Sequence, residues 1–126
     1  MKTANVAEAV KSEHAVALLK QMYGENRVEE NAARYQLVAD GFAKEFGDKA
    51  FEFFSAPGRT EIGGNHTDHN HGKVLAGSVH LDCVAAAAPN GTHTVNLISE
   101  TYNQHLVINL DDLAPTEKTN GNRTAV

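Results

Sequence analysis

The spacing of apolar residues changes once along this chain, and that change constrains the fold more than any other feature. Up to Gly47 they recur at three- and four-residue steps; from Phe51 onward they tend to alternate. Steps of three and four line one face of a helix, whereas alternation lines one face of a strand. Val6, Ala9, Val10, Ala15, Val16, Leu18, Leu19 and Met22 predict one or two helical segments over residues 5–23, with Gly24 as the stop. Val28, Ala32, Tyr35, Val38, Phe42 and Phe46 predict a second helix. Asn26 is its expected cap, Glu29 the capping-box partner three residues on, and Gly47 its end. Both stripes read as packing faces.

The segment Phe51-Glu52-Phe53-Phe54-Ser55 predicts a strand, followed by a polar loop over 56–73. Val74 and Leu75 open a new apolar stretch that continues through residues 79–88. Pro89-Asn90-Gly91 is a turn signal, and it is expected to fold that stretch as a hairpin onto a strand at 92–99. A further strand is expected at 105–110, and residues 116–126 are polar and patternless. Helices followed by a mostly antiparallel set of strands make the expected class α+β.

Composition excludes several functions. The chain has 126 residues, 41% hydrophobic and 21% charged, which is one soluble globular domain rather than a disordered chain. A net charge of −5 without a Lys/Arg cluster argues against a nucleic-acid partner. No apolar run approaches the ~20 residues of a membrane span, and the N-terminus has no signal-type apolar segment. Cys83 stands alone, which suits a reducing cytoplasm, and its strand-like setting predicts a buried, inert thiol.

The chemistry-bearing residues concentrate in Pro57-Gly58-Arg59-Thr60-Glu61-Ile62-Gly63-Gly64-Asn65-His66-Thr67-Asp68-His69-Asn70-His71-Gly72. Three readings fit. A metal reading starts from H-x-D-H at His66, Asp68 and His69, reminiscent of zinc hydrolases, but Gly64 falls where their first histidine stands. A phosphate reading starts from Gly58, Gly63 and Gly64, whose backbone N–H groups can approach an anion, yet neither common phosphate-loop pattern is matched. A sugar reading fits best: Asn65, His66 and Asp68 offer an amide, an imidazole and a carboxylate to hydroxyls that both donate and accept. The same residues can also simply cap and tie a turn.

Residues 57–75 resemble the galactokinase signature G-R-V-N-L-I-G-E-H-T-D-Y-N-x-G-x-V-L-P, with Arg59, Gly64, His66, Thr67, Asp68, Asn70, Gly72, Val74 and Leu75 matching outright. The resemblance extends over about residues 25–110. It implies a GHMP kinase, whose N-terminal α+β domain is similar to the second domain of ribosomal protein S5 and which moves the γ-phosphoryl of ATP to the anomeric hydroxyl of α-D-galactose. Carried over, Arg59 stabilises charge in the transition state, Asn65, His66 and Asp68 contact the sugar, and Thr67 supports them. The chain departs from the pattern at Asn65, where glutamate is usual, at Glu61, where asparagine is usual, and at His69, where tyrosine is usual.

The resemblance also implies ATP and Mg2+ as cofactors of the whole enzyme, galactose or a close epimer or derivative as substrate, and the remainder of the kinase as a partner. No glycine/serine phosphate loop and no segment carrying the family's aspartate base are found in the sequence. The expected organisation is a helical extension at 1–24, part of the galactose-binding domain at 25–115 and a truncated tail at 116–126. Such a piece is expected to be inactive alone, to hold neither ATP nor a metal, and to self-associate through open strand edges. A non-catalytic galactokinase-like sugar sensor is the alternative, and a metal-dependent hydrolase using H-x-D-H the weaker one.

Overall fold

The computed structural model describes residues 5–64, 67 and 70–112. Helix α1 (Val6–Ala9) and helix α2 (Glu13–Tyr23) divide the first stripe. Ser12 separates them: its Oγ accepts from the Ala15 N–H at 3.3 Å, satisfying one of the orphan donors of a helix start. Gly24 ends α2 with its N–H on the Lys20 carbonyl at 2.9 Å.

Helix α3 (Val28–Phe46) begins later than its expected cap. Residues Glu25–Arg27 form a 3-10 turn, so Asn26 does not cap α3. Arg27 stands at the boundary instead. Its guanidinium makes two 3.0 Å bonds to Glu30, and its carbonyl accepts from Asn31 Nδ2 at 2.8 Å. Gly47 ends the helix as expected.

Phe51, Ala39, Phe42 and Val6 form the buried core, with Val10, Phe46, Phe53, Ala86 and Ala88 packed around it. The phenylalanine rings interlock. Phe42 and Phe51 lie 4.9 Å apart, and Phe53 stands edge-on to both Phe51 and Tyr35. Edge-to-face pairs add roughly 0.5–1.5 kcal/mol beyond the area they bury.

Strand β1 (Glu52–Gly63) pairs antiparallel with strand β2 (Leu75–Ala87), from Glu52↔Ala87 to Gly63↔Leu75. Two findings differ from the sequence expectation. β1 runs on through Pro57 and Gly58 to Gly63, well into the expected loop, with register shifts between Pro57 and Arg59 and between Glu61 and Gly63. And β2 pairs with β1, not across residues 89–91 with the next strand. The hairpin is built on the signature loop itself.

On the inner face of this hairpin lie Phe53, Ser55, Asp82, Val84 and Ala86; Cys83 takes the opposite phase and is exposed. A buried Cys83 is therefore corrected. Period-2 alternation leaves one phase inward, and Asp82 occupies it because Arg34 and Tyr23 grip it.

By its contacts the chain divides into two units, Met1–Ala88 and Pro89–Val126. The second contains strand β3 (Thr94–Ser99) and strand β4 (Gln104–Asn109), paired antiparallel with Thr94↔Asn109 and Ser99↔Gln104. Val95, Leu97, Leu106 and Ile108 share one face of it. Helices and antiparallel hairpins together make the fold α+β. None of the described helices is long and apolar enough to cross a membrane.

Candidate functional site

The arm of β1 beyond its first register shift carries Arg59, and the segment joining β1 to β2 carries Thr67. Arg59 lies opposite Ser78, with its side chain 75% exposed. Its Nε donates to Glu61 Oε1 at 3.2 Å. The shift beside it leaves Gly58 crowded: a Cβ there would meet the Leu81 carbonyl and the Val79 side chain, each at 3.2 Å.

Thr67 ties the connecting loop together. Its Oγ1 donates to the Gly64 carbonyl at 2.8 Å, and its own carbonyl accepts from the N–H groups of Asn70 at 3.0 Å and Gly72 at 2.9 Å. Gly64 has φ 84, a conformation side chains disfavour, and a Cβ on it would collide with the Lys73 carbonyl. A Cβ on Gly72 would collide with Thr67. The two glycines are therefore what allows the loop to close around Thr67. Asn65, His66 and Asp68, the expected sugar partners, lie outside the described residues, as does His69 of the H-x-D-H pattern.

A second polar cluster went unrecognised in the sequence. Asp82, its side chain only 5% exposed, accepts from Tyr23 at 2.6 Å, from Ser55 at 2.5 Å and from Arg34 Nη1 at 2.5 Å. Arg34 Nη2 also takes the Asp82 backbone carbonyl at 2.6 Å, and Tyr23 and Tyr35 share a 3.1 Å bond. One carboxylate thus joins α2, α3, β1 and β2. Burial acts to raise the Asp82 pKa, but the bonds from Ser55, Tyr23 and Arg34 outweigh it and hold the group below its ordinary range. Burial, then the bond to Asp82, pushes the Tyr23 phenol up. The only sequence signal was an acid on the inward phase of a strand, with an arginine on the helix packed against it.

Asp82, Tyr23 and Ser55 also wall an open cleft of about 260 Å³, together with Pro57, Ser78 and His80. Asp82 pairs with Pro57, immediately before the register shift that precedes Arg59. The cluster therefore anchors the base of the arm that carries Arg59.

The galactokinase galactose-binding signature matches residues 40–89, which include both β1 and β2 and the loop between them. The galactokinase of Lactococcus lactis subsp. lactis (strain IL1403) is 36% identical over 95 residues, 75% of this chain and 24% of that protein. Over this stretch the chain is similar to the galactokinases. A second galactokinase, from Lactococcus lactis subsp. cremoris (strain MG1363), is 35% identical over 85 residues, 67% of this chain and 21% of that protein. That of Lacticaseibacillus casei is 37% identical over 65 residues, 52% and 17% respectively. The chain spans about a quarter or less of the length of these galactokinases. No solved structure matches it.

Proposed function

We propose that this chain is the sugar-binding N-terminal part of a galactokinase, the whole enzyme transferring the γ-phosphoryl of ATP to the anomeric hydroxyl of α-D-galactose. The observation that carries the reading is the match of the galactose-binding signature to the β1–loop–β2 hairpin. In this reading Arg59 meets the charge that develops on the transferring phosphoryl. Phosphoryl transfer needs positioning and charge stabilisation more than covalent chemistry, and a planar, permanently ionised guanidinium supplies both. Asn65, His66 and Asp68 hold sugar hydroxyls, and Thr67, already bonded to Gly64, fixes the loop that presents them.

The fold is that of the ribosomal protein S5 domain 2-like half of a GHMP kinase, with a helical extension at 1–24, the partial sugar-binding domain at 25–115 and a polar tail at 116–126. ATP and Mg2+ serve the whole, cytoplasmic enzyme, and no residue of this chain is assigned to hold either. The chain alone is inactive, completes its pocket with the remainder of the kinase, and self-associates when isolated.

Calorimetry with galactose, glucose and N-acetylgalactosamine tests the reading, on this chain alone and on a full-length galactokinase into which residues 25–110 are exchanged. Galactose-selective binding and turnover by the exchanged enzyme are expected, with weak or no binding by the chain alone. Tight galactose binding by the isolated chain would instead mark a sensor module. An exchanged enzyme that folds but neither binds nor phosphorylates galactose would refute the proposal.

A further inference from the structure

Arg59 and Glu61 stand two residues apart on β1, and so on the same face of the hairpin. They lie on the short ladder Arg59↔Ser78, Thr60↔Gly77 and Glu61↔Ala76, with a register shift at each end. The two partners are unequally placed: the Glu61 side chain is 23% exposed and that of Arg59 is 75% exposed. The shorter carboxylate is held against the hairpin, and the longer guanidinium turns its Nε edge to it, at 3.2 Å.

This contact has two effects on any anion approaching Arg59. Arginine grips phosphate and carboxylate through two parallel N–H bonds, and the pair with Glu61 takes the edge that includes Nε, leaving the terminal Nη fork. It also sets a negative charge beside the position that an incoming anion would occupy. We propose that Glu61 is a specificity-determining residue of this site: it lowers the affinity of Arg59 for sugars that already carry a phosphate and so favours entry of an uncharged sugar. The inference rests on the reading of Arg59 as the anion-facing group. The pair is largely exposed on the arginine side, so water screens it, and the effect is modest: about two- to fivefold in affinity.

The test uses the 15N-labelled chain titrated with inorganic phosphate, followed through the backbone amides and the Arg59 Nε–H signal. Glu61→Gln is expected to bind phosphate about two- to fivefold more tightly than the parent and to shift the Arg59 Nε–H signal before any phosphate is added. Arg59→Ala in the Glu61→Gln background is expected to remove the gain. Glu61→Asn is the companion variant, with the same gain expected, and well-dispersed amide spectra establish that each variant is folded. Equal affinities in the parent and Glu61→Gln, with Arg59→Ala weakening both, overturn the role of Glu61 and leave Arg59 as an anion contact. Affinities indifferent to Arg59→Ala in both backgrounds remove Arg59 itself, and with it the reading on which the inference rests. Absence of any phosphate response in Glu61→Gln overturns the inference as well.

Discussion

Asp82 is where the first unit is most sensitive to a single change. Removing its charge leaves Arg34 and Tyr23 facing an amide in a largely enclosed position. Breaking a buried pair costs about 3–5 kcal/mol; Arg34 is about a third exposed, so Asp82→Asn is expected near the lower end. Urea unfolding followed by circular dichroism measures it. The same cluster fixes the pH dependence. Asp82 has its folded pKa lowered, so its contribution is full above the ordinary carboxylate range and is lost as pH falls through the lowered value. The Asp82 contribution is expected to hold from about pH 5 upward and to decline below about pH 4, with a shallower acid decline in Asp82→Asn. Tyr23 has its folded pKa raised, so its contribution is full below the ordinary phenol range and is lost as pH rises from there through the raised value. Tyr23→Phe is expected to flatten the alkaline loss above about pH 10. At the other polar site, Arg59→Ala in a galactokinase carrying this segment is expected to lower kcat by about a hundredfold or more with little change in KM. Steady-state kinetics checks this, and an unchanged kcat contradicts a transition-state role.

Among the elements, β1 was the least legible. Pro57 and Gly58 mark a break by the usual rules, yet the strand passes through both. In a two-stranded hairpin each strand is an edge, so a proline can sit where its missing N–H disrupts no pairing, and a register shift absorbs the glycine. The loop after β1 depends on Gly64 in the same way. Gly64→Ala places a side chain at φ 84 and against the Lys73 carbonyl, so a loss of about 1–3 kcal/mol is expected. Hydrogen exchange at the β1 and β2 amides is the measurement, with protection falling first at the loop end of the hairpin. The helices were more readable because their signals are local. Gly24 and Gly47 act within one turn of themselves, and α2 and α3 end at these two glycines. The start of α3 departs from its expected cap because Asn26 is a sound cap in isolation, while the Arg27–Glu30 pair and Asn31 close the first turn one residue later.

For the whole molecule, the sequence by itself determined the α+β class, the two helical stripes, the positions of the later strands and the similarity to the galactokinases. These follow from periodicity, from turn residues and from a long ungapped motif, all of which are written along the chain. Tertiary structure decided what pairs with what. Pro89, Asn90 and Gly91 fit a tight hairpin turn equally well whether or not the flanking strands pair, and here β2 pairs back to β1 while β3 pairs forward to β4. It also decided which side chains the strands turn inward. Cys83 and Asp82 are adjacent and share a strand, and hydropathy alone puts the thiol inside. The structure does the reverse, because Arg34, Tyr23 and Ser55 converge from three other elements to satisfy a buried carboxylate. A polar group goes inside only when its partners arrive with it, and residues 27, 48 and 59 positions away in sequence are brought to one carboxylate only by the folded chain.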